Sequence, residues 1–258
     1  KINNMQNLYS ALIDSAFSVN KMIDILKEIE NKTYKGSLGD RMKFYELMSR
    51  YVTVIPDNNH YVIRVDGRSF SSYTKGLDRP FDAEFINTMN HVALALCKGI
   101  DGAQKAFVQS DEISIHVSDT ATEQTQHWFG GKAYKILGIA SAIASNEFNR
   151  QQLMNLNTYG NMDYIAKPSS WAQFDSRIII LPNEVEVDNC FLWRQQDCER
   201  NSVSSVAQVH FSTSELHKKN IAEQKTMIVE GGYKAWEEYD DGEKFGRWIL
   251  PTGELDQK

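Results

Sequence analysis

The amino-acid sequence predicts an α+β domain with one antiparallel sheet, helices on one face of that sheet and additional helices at both ends of the chain. Two observations lead to this class. The middle of the chain alternates strand, helix, hairpin, helix and strand, which is the ferredoxin-like βαββαβ order. Longer helical segments are predicted on either side of this unit, at residues 3–31 and 187–209.

The N-terminal part is predicted to be helical. Between residues 3 and 31 the apolar side chains recur in steps of three and four, which places them on one stripe of a helix. Such a stripe needs cover from the body of the protein or from another subunit. Residues 33–39 contain two glycines and predict a break. Ser37 and Asp40 then have the spacing of a capping box for a short helix that ends near Arg50.

The core elements are predicted from their apolar periodicity and from the turn or capping residues that bound them. In chain order they are a strand at 61–65, a helix from about 82 to 96, a hairpin at 106–108 and 113–117, a helix from about 125 to 152 that is interrupted near Gly130-Gly131, and a pair of short strands at 171–181. The tail is predicted to end in a strand at 248–250.

The composition excludes several classes of protein. The chain has 258 residues, 41% of them hydrophobic, and a formal net charge of −6 with a pI near 5.6. A chain of this length and composition is not disordered, and it can bury a core without disulfides or structural metals. A broadly basic surface is excluded, so any contact with nucleic acid must come from a local cationic patch.

Cysteine usage and hydropathy favour a reduced, intracellular protein. Cys97, Cys190 and Cys198 cannot all pair with one another and form no CxxC motif. The apolar stretch at 136–144 is far shorter than the ~20 residues of a membrane span, so no membrane partner is expected. We expect a cytoplasmic location. Because the chain begins at Lys1 rather than Met, a mitochondrial location would follow if a leader has been removed.

Three carboxylates are placed to meet at one edge of the predicted sheet. Asp66 ends the first strand, and Asp111 with Glu112 lies on the hairpin 45 residues later. In a βαββ unit the first strand lies beside this hairpin, so the carboxylates can converge. Two or three oxygen ligands around an open site suit Mg²⁺, and two such ions ~4 Å apart can activate an attacking oxygen and stabilise a leaving one. The alternative is that these acids simply make turns.

Four ordered motifs carry a resemblance to a known family. They are VDGRSF at 65–70, QSDEIS at 109–114, FDSR at 174–177 and WRQQDC at 193–198. With LGDRMK at 38–43 they resemble the histidine-tRNA guanylyltransferase family, whose members are similar to polymerase palms running in the 3′-to-5′ direction. The resemblance covers residues 37–211 well and the tail loosely.

The resemblance implies a domain organisation and an assembly. Residues 37–183 would form a palm-like catalytic core, residues 1–36 an N-terminal helical extension outside the resemblance, and residues 184–258 a helical and strand region that completes the same domain. The family resemblance also implies a homotetramer.

The resemblance implies roles for the motif residues. Asp66 and Asp111 would be catalytic metal carboxylates for two Mg²⁺ ions, with the Gly67 carbonyl as a further ligand and Glu112 as catalytic support. The nucleotide triphosphate would be held by the segment from Asp66 to Ser71 and by part of the hairpin, namely by Asp66, Gly67, Arg68, Ser69, Phe70, Ser71, Ser110 and Asp111. The family first adenylylates an RNA 5′-monophosphate with ATP, and the 3′-hydroxyl of GTP or another nucleotide then attacks that activated end.

Cationic residues would complete the nucleotide site. Lys132 and Lys135 lie three residues apart on one face of a predicted helix. The matching stretch of the family is also basic, and Arg79 occupies the place of a family lysine, so all three would neutralise triphosphate charge. A solvated helix face is the alternative for the two lysines. Arg68 and Arg177 are as readily structural partners of acidic residues as substrate contacts.

The chain departs from the family after the WRQQDC motif. Eukaryotic guanylyltransferases carry His-Ile-Asn-Asn there, which bears on recognition of histidine tRNA, whereas this chain has Glu199-Arg200-Asn201-Ser202. A carboxylate in place of an imidazole changes the charge offered to RNA. The chain is thus similar to the guanylyltransferase-like branch, which repairs truncated tRNA 5′ ends by templated addition. Arg194, Arg200 and Asn201 are the candidate RNA contacts.

We therefore expect templated 3′–5′ addition of nucleotides to the 5′ end of a truncated tRNA, after ATP- or GTP-dependent activation of that end. A first alternative is a dedicated histidine-tRNA guanylyltransferase that adds G at position −1. A second is a nucleotidyl cyclase-like enzyme, since cyclases use a similar palm and two carboxylates. A third is an inactive RNA-binding or assembly module.

Overall fold

The structure is a computed structural model that describes residues 37–50, 52–56, 59–118, 126–159, 171–253 and 255–256. The described residues up to Phe44 and those from Tyr45 onward form separate compact units. The predicted boundary after residue 36 stays a prediction, and the predicted stripe within residues 3–31 lies outside the described residues.

Helices and strands alternate in the order that the sequence predicts. The helices are α1 (Leu38–Ser49), α2 (Phe70–Tyr73), α3 (Ala83–Gly99), α4 (Ala133–Tyr159), α5 (Glu184–His210), α6 (Thr213–Leu216), α7 (Ile221–Glu230) and α8 (Asp241–Lys244). The strands are β1 (His60–Gly67), β2 (Ala103–Gln109), β3 (Glu112–Val117), β4 (Phe174–Leu181), β5 (Arg247–Ile249) and β6 (Leu255–Asp256). Two 3₁₀ turns, Trp128–Gly131 and Trp236–Glu238, complete the list.

The strands form one antiparallel sheet in the order β4-β1-β3-β2-β5-β6. The unit β1-α3-β2-β3-α4-β4 has the predicted βαββαβ order, so the predicted fold class is confirmed. The prediction of two short strands at 171–181 is wrong, because β4 is a single strand that pairs with β1 from Leu181 to Phe174. The interruption predicted near Gly130-Gly131 is confirmed as the 3₁₀ turn Trp128–Gly131, and the long helix begins after it, at Ala133 instead of near residue 125.

Alternation along the strands divides the sheet into two unlike faces. One face carries apolar side chains such as Ile63, Val65 and Ile115, which are buried against α3 and α4 in the main core. Both helices of the βαββαβ unit therefore lie on the predicted single face. Apolar burial of this kind contributes roughly 25 cal/mol per Å² and is the main source of the stability of the fold.

The C-terminal helix α5 covers the opposite face. Its Phe191 ring lies 4.9 Å from the Trp248 ring of β5, and its Arg194 guanidinium reaches β3. Asn183 caps the helix by accepting a hydrogen bond from the backbone amide of Glu186 at 3.0 Å. Helix α5 thus packs over the polar face of the sheet.

An aromatic cluster anchors the chain where β1 ends. The Phe70 ring lies 5.3 Å from Phe148 of α4 and 5.0 Å from Phe174 of β4. A β-carbon at Gly67 would overlap the Phe70 ring, so this position accepts only glycine without rearrangement. Packing of Phe70 therefore fixes the path of the backbone directly after Asp66.

Among the described residues, no helix is long and apolar enough to cross a membrane.

Replacing glycine by alanine is expected to change the stability of the protein in opposite directions at Gly246 and at Gly138. Gly246 has φ +84°, and an added β-carbon would overlap the Phe107 ring and lie 2.9 Å from the Val108 carbonyl oxygen. We expect Gly246→Ala to lower the free energy of unfolding by about 1–3 kcal/mol. Gly138 lies within α4 with no atom in reach of a β-carbon, so Gly138→Ala is expected to raise it by about 0.5–1 kcal/mol. Urea denaturation measures both, and shifts of the same sign would contradict this account.

Candidate active site

The ends of β1 and of the β2–β3 hairpin bring the predicted carboxylates together. Asp66 is the penultimate residue of β1 and pairs with Glu112, the first residue of β3. The backbone amide of Gly67 donates to the carbonyl oxygen of Asp111 at 3.1 Å, which ties the strand end to the hairpin turn. Asp66 and Asp111 therefore lie at one end of neighbouring strands, as the sequence predicts.

The turn that carries Asp111 is tight. It consists of Ser110 and Asp111, between the paired residues Gln109 and Glu112. Ser110 has φ +46°, an uncommon conformation for a residue other than glycine. The Asp111 carboxylate is hydrogen-bonded to its own backbone amide and to the Ser110 side chain, which holds it in place.

Both carboxylates ionise less readily than usual. Burial, helped by the charges of Asp66 and Glu112, raises the pKa of Asp111 to about 6. Burial and the charge of Glu112 also raise the pKa of Asp66, against the opposing effect of Arg177. Both shifts arise first from burial and then from neighbouring carboxylates, and a bound cation would favour the ionised forms.

Glu112, beside this pair, is engaged by partners of its own. Its Oε1 atom accepts hydrogen bonds from Arg194 Nε at 2.7 Å and from Gln109 Nε2 at 2.8 Å, and its Oε2 atom accepts one from Arg194 Nη2 at 3.0 Å. A bidentate pair of this kind is strong and geometrically specific. Glu112 therefore joins the sheet to α5, which agrees with a supporting position.

A second group of ion pairs, centred on Glu46, connects β1 with β4. Arg64 donates to both oxygens of Glu46 at 3.2 Å, and Arg177 donates to Glu46 at 3.3 Å. Arg177 also lies 3.4 Å from Asp175 and 3.8 Å from Asp66. Sequence reasoning anticipated Arg177 as a structural partner of these acids, but missed Arg64 and Glu46. Arg64 and Asp66 are two residues apart on β1 and therefore share a face of the sheet. This spacing is the sequence signal that could have identified Arg64.

The residues present suit a magnesium ion that is completed by its substrate. Among the described residues, no three His, Cys, Asp or Glu side chains form a metal-binding group. Asp66 and Asp111 nevertheless offer two hard oxygen ligands with raised pKa values, and Mg²⁺ is commonly bound by one or two carboxylates together with substrate phosphates and water. The donor set therefore fits Mg²⁺ and does not fit a closed zinc site.

A cavity of about 460 Å³ opens from the carboxylates. Its lining includes Asp66, Ser110 and Asp111. It also includes residues of α5, of the segment at 80–86 and of the segment at 242–247. Sequence reasoning missed several of these lining residues, among them Ser204, Ser205, Gln208, Glu243 and Arg247.

The remaining residues that the sequence predicts to bind the nucleotide differ in how accessible their side chains are. Phe70 is buried in the aromatic cluster, so its side chain is not accessible to a ligand. Ser69, directly before α2, and Ser71 within it are exposed, and Arg68 donates to Gln173 Oε1 at 2.7 Å. Ser69 adopts φ 59° and its carbonyl accepts the backbone amide of Ser72 at 2.9 Å.

The predicted cations lie outside the cavity lining. Arg79, Lys132 and Lys135 are exposed, and none of them is among the residues that line the cavity in the part of the chain that the structure describes. Lys132 precedes α4 directly, and the Lys135 Nζ atom lies 4.9 Å from the Phe129 ring. Contact of these cations with a triphosphate therefore stays a prediction.

The predicted RNA contacts differ in accessibility. Arg194 lines the cavity, and its guanidinium is buried and bonded to Glu112 and Asp197, so its role as an RNA contact stays a prediction. Arg200 is exposed and also bonds Asp197. Asn201 is exposed and lines the cavity. Glu199 does not line the cavity, and its carboxylate lies 3.8 Å from Lys225 Nζ.

Fold and site together define the chain as a palm-type α+β domain with two acidic residues at the end of its central strands. The model of the tRNAHis guanylyltransferase family matches residues 39–182, more than half of the chain, and the chain therefore belongs to this family. Its members are nucleotidyltransferases.

Relatives and solved structures agree with this assignment. A bacterial tRNA(His) guanylyltransferase-like protein in complex with ATP is 33% identical, with a TM-score of 0.71 over 85% of this chain and 91% of that one. A bacterial protein of the same description in complex with GTP is 32% identical, with a TM-score of 0.63 over 83% of this chain and 84% of that one. An uncharacterized protein of Acanthamoeba polyphaga mimivirus is 29% identical over 235 residues, 83% of this chain and 78% of that one.

The chain spans about half the length of some curated relatives. It covers 54% and 55% of the probable tRNA(His) guanylyltransferases of Drosophila melanogaster and Dictyostelium discoideum.

The raised pKa of Asp111 makes a prediction for stability without metal. Because its pKa in the folded protein is about 6 instead of 3.8, ionised Asp111 opposes folding above pH 6, and this cost disappears as the pH falls through 6 towards 4. In EDTA at pH 7.5 we expect Asp111→Asn to be more stable than the wild type by about 1–3 kcal/mol, with the difference shrinking at pH 4.5. Thermal unfolding across this pH range measures it.

Asp101→Asn, at an exposed turn position, is the matched control and should leave the pH dependence unchanged. A destabilised Asp111→Asn at pH 7.5 would contradict the raised pKa of the buried Asp111 carboxyl.

Proposed function

We propose that the protein adds nucleotides to the 5′ end of a truncated tRNA in the 3′-to-5′ direction, following a template base. The observation that carries this proposal is the meeting of Asp66 and Asp111 at one end of a cavity of about 460 Å³, in a member of the tRNAHis guanylyltransferase family. The similar bacterial proteins solved with ATP and with GTP support nucleoside triphosphates as substrates.

Asp66 and Asp111 would hold Mg²⁺, with the Gly67 carbonyl as a further candidate ligand. When bound there, two ions would lower the charge of the reacting phosphates and polarise the attacking and leaving oxygens. The protein contributes fixed carboxylates whose pKa values are raised by burial and by the neighbouring carboxylates. Glu112 and Arg194 would act as positioning residues, because their ion pair fixes the hairpin against α5.

Two phosphoryl transfers make up the proposed reaction. In the first, an oxygen of the RNA 5′-monophosphate attacks the α-phosphorus of ATP or GTP, and pyrophosphate leaves. In the second, the 3′-hydroxyl of the incoming nucleotide attacks the activated RNA 5′-phosphorus and the nucleoside monophosphate leaves. Both steps depend on positioning and charge neutralisation more than on covalent chemistry by the protein. The exposed Arg68, Arg79, Lys132 and Lys135 are the proposed cations for the triphosphates.

The choice of templated repair over G addition at position −1 rests on residues 199–202. No imidazole stands at Glu199, where the relatives that read histidine tRNA place one. The ion pair between Glu199 and Lys225 offsets part of the repulsion that an isolated carboxylate would exert on RNA. The proposal is therefore supported by the absence of an imidazole at position 199 more than by the negative charge of Glu199.

The tRNA substrate leads us to propose an intracellular location. The family resemblance leads us to propose a homotetramer.

The first prediction here concerns the two carboxylates. Asp66→Asn and Asp111→Asn should each keep the fold and lose at least about 100-fold in nucleotide addition, because either change removes an anionic ligand and weakens charge neutralisation in both steps. The assay follows labelled GTP joining a 5′-truncated tRNA in the presence of ATP and Mg²⁺. Asp101→Asn is the control. A rate near that of the wild type in Asp111→Asn would overturn the metal assignment, and ATP turnover without RNA would favour a cyclase.

The second concerns the template. Two truncated tRNAs with different anticodons and different templating nucleotides are each incubated with all four nucleoside triphosphates. We expect addition to both, with the added base following the template, because Watson–Crick pairing and not the anticodon selects the nucleotide. Addition of G alone, restricted to histidine tRNA, would show a dedicated guanylyltransferase instead.

A further inference from the structure

Two buried histidines lie on the face of the sheet that α5 covers. Side chains alternate along a strand, so His60 of β1 shares the polar face with Arg64, and His116 of β3 shares it with Glu112. Each histidine is only 8% exposed. His60 begins β1 and His116 is near the end of β3, so the pair lies at the end of these strands opposite to the catalytic carboxylates. The proposed reaction makes no use of either ring.

The two imidazole rings are in direct contact. His60 Nδ1 and His116 Nε2 lie 3.3 Å apart, and the ring centroids are separated by 5.4 Å. Across such a contact one nitrogen donates a proton and the other accepts it. An uncharged pair can make this hydrogen bond, whereas two imidazolium rings would direct two donors at each other with no acceptor between them.

The neighbouring charges hold the pair between β2 and α5. Lys105 of β2 and Asp188 of α5 both act on His116, and they form an ion pair with each other at 3.5 Å. The Lys105 Nζ atom also lies 5.3 Å from the Phe191 ring of α5, which keeps this ammonium beside the histidines. Further along the same face the charged side chains are paired with one another, Arg64 with Glu46 and Glu112 with Arg194.

These surroundings make His116 resist protonation. Burial, followed by the charges of His60 and Lys105, lowers the pKa of His116 from 6.5 to about 4, against the opposing charge of Asp188. The unfolded chain therefore takes up a proton at His116 near pH 6.5, and the folded chain takes it up only near pH 4. Because the folded form excludes this proton, its stability is complete above pH 6.5 and falls as the pH drops from 6.5 towards 4.

We propose that His60 and His116 form an acid-sensitive switch beneath α5, which keeps the helix on the sheet while the pair is uncharged and loosens it on acidification. Protonation places positive charge beside Lys105, in a position without access to water, and breaks the contact between the rings. Helix α5 also carries Arg194, so its loosening releases Glu112 beside the active site. The inference concerns the attachment of α5 and holds for whatever reaction the site performs.

Thermal unfolding at pH 7.5 and 5.0 tests the switch in the wild type, His116→Gln and His60→Gln. Glutamine can donate and accept a hydrogen bond but takes up no proton. Between these pH values we expect the melting temperature of the wild type to fall by about 3–8 °C more than that of His116→Gln, with His60→Gln in between. The raised pKa of Asp111 acts in the opposite direction, but equally in all three proteins, so it cancels in the comparison.

His217→Gln is the matched control, because His217 is an exposed histidine directly after α6. Its melting temperature should fall as much as that of the wild type. Hydrogen exchange then locates the change. At pH 5.0 the amides of α5 should exchange about tenfold faster in the wild type than in His116→Gln, with no such excess at pH 7.5.

NMR titration of the six histidine rings in the wild type gives a test that needs no variant to fold. His116 should stay uncharged down to about pH 5. Titration of all six rings near pH 6.5 would overturn the switch. Equal pH dependence of the wild type and His116→Gln, an equal gain in His217→Gln, or faster exchange confined to segments other than α5 would overturn it as well.

Discussion

The site depends on the bidentate pair between Glu112 and Arg194. Their side chains are only 14% and 7% exposed, and charges placed so deeply are tolerated only when they are paired and hydrogen-bonded. The pair fastens α5 to β3 across the polar face of the sheet and engages both carboxylate oxygens of Glu112. Asp66 and Asp111, whose pKa values are raised by burial and by neighbouring carboxylates, line the cavity beside it. One ion pair thus ties α5 to the strand ends that carry these acids.

Much of the fold could be predicted because its signals are local. The apolar run at 61–65 and its stop at Asp66 define β1, and Asp82 caps α3 by accepting from the Phe85 amide at 2.8 Å. The failure at β4 has a non-local cause. Ser176 looks like a turn residue in the sequence, but its hydroxyl donates to the Leu137 carbonyl of α4 at 2.7 Å, so a polar residue is satisfied inside a strand.

From the sequence, only those residues of the site that belong to a recognisable motif could be predicted. The ordered motifs locate Asp66 and Asp111, whose backbone positions follow from strand pairing. The partner of Glu112 could not be found this way, because Arg194 lies 82 residues further along and approaches from the opposite layer. The burial of the Arg194 side chain is likewise a tertiary property. Ser204, Ser205 and Gln208, which line the cavity from α5, belong to no motif and become visible only in the folded structure.

The placement of the cysteines has a practical consequence. All three are free and buried, and burial raises the pKa of Cys97 to about 11 and those of Cys190 and Cys198 to about 12. Little thiolate forms at neutral pH, so the native thiols react slowly with maleimides. A single cysteine introduced on an exposed helix position would be labelled in preference to them. Fluorescent dyes could then be attached to the folded protein without first replacing its own cysteines.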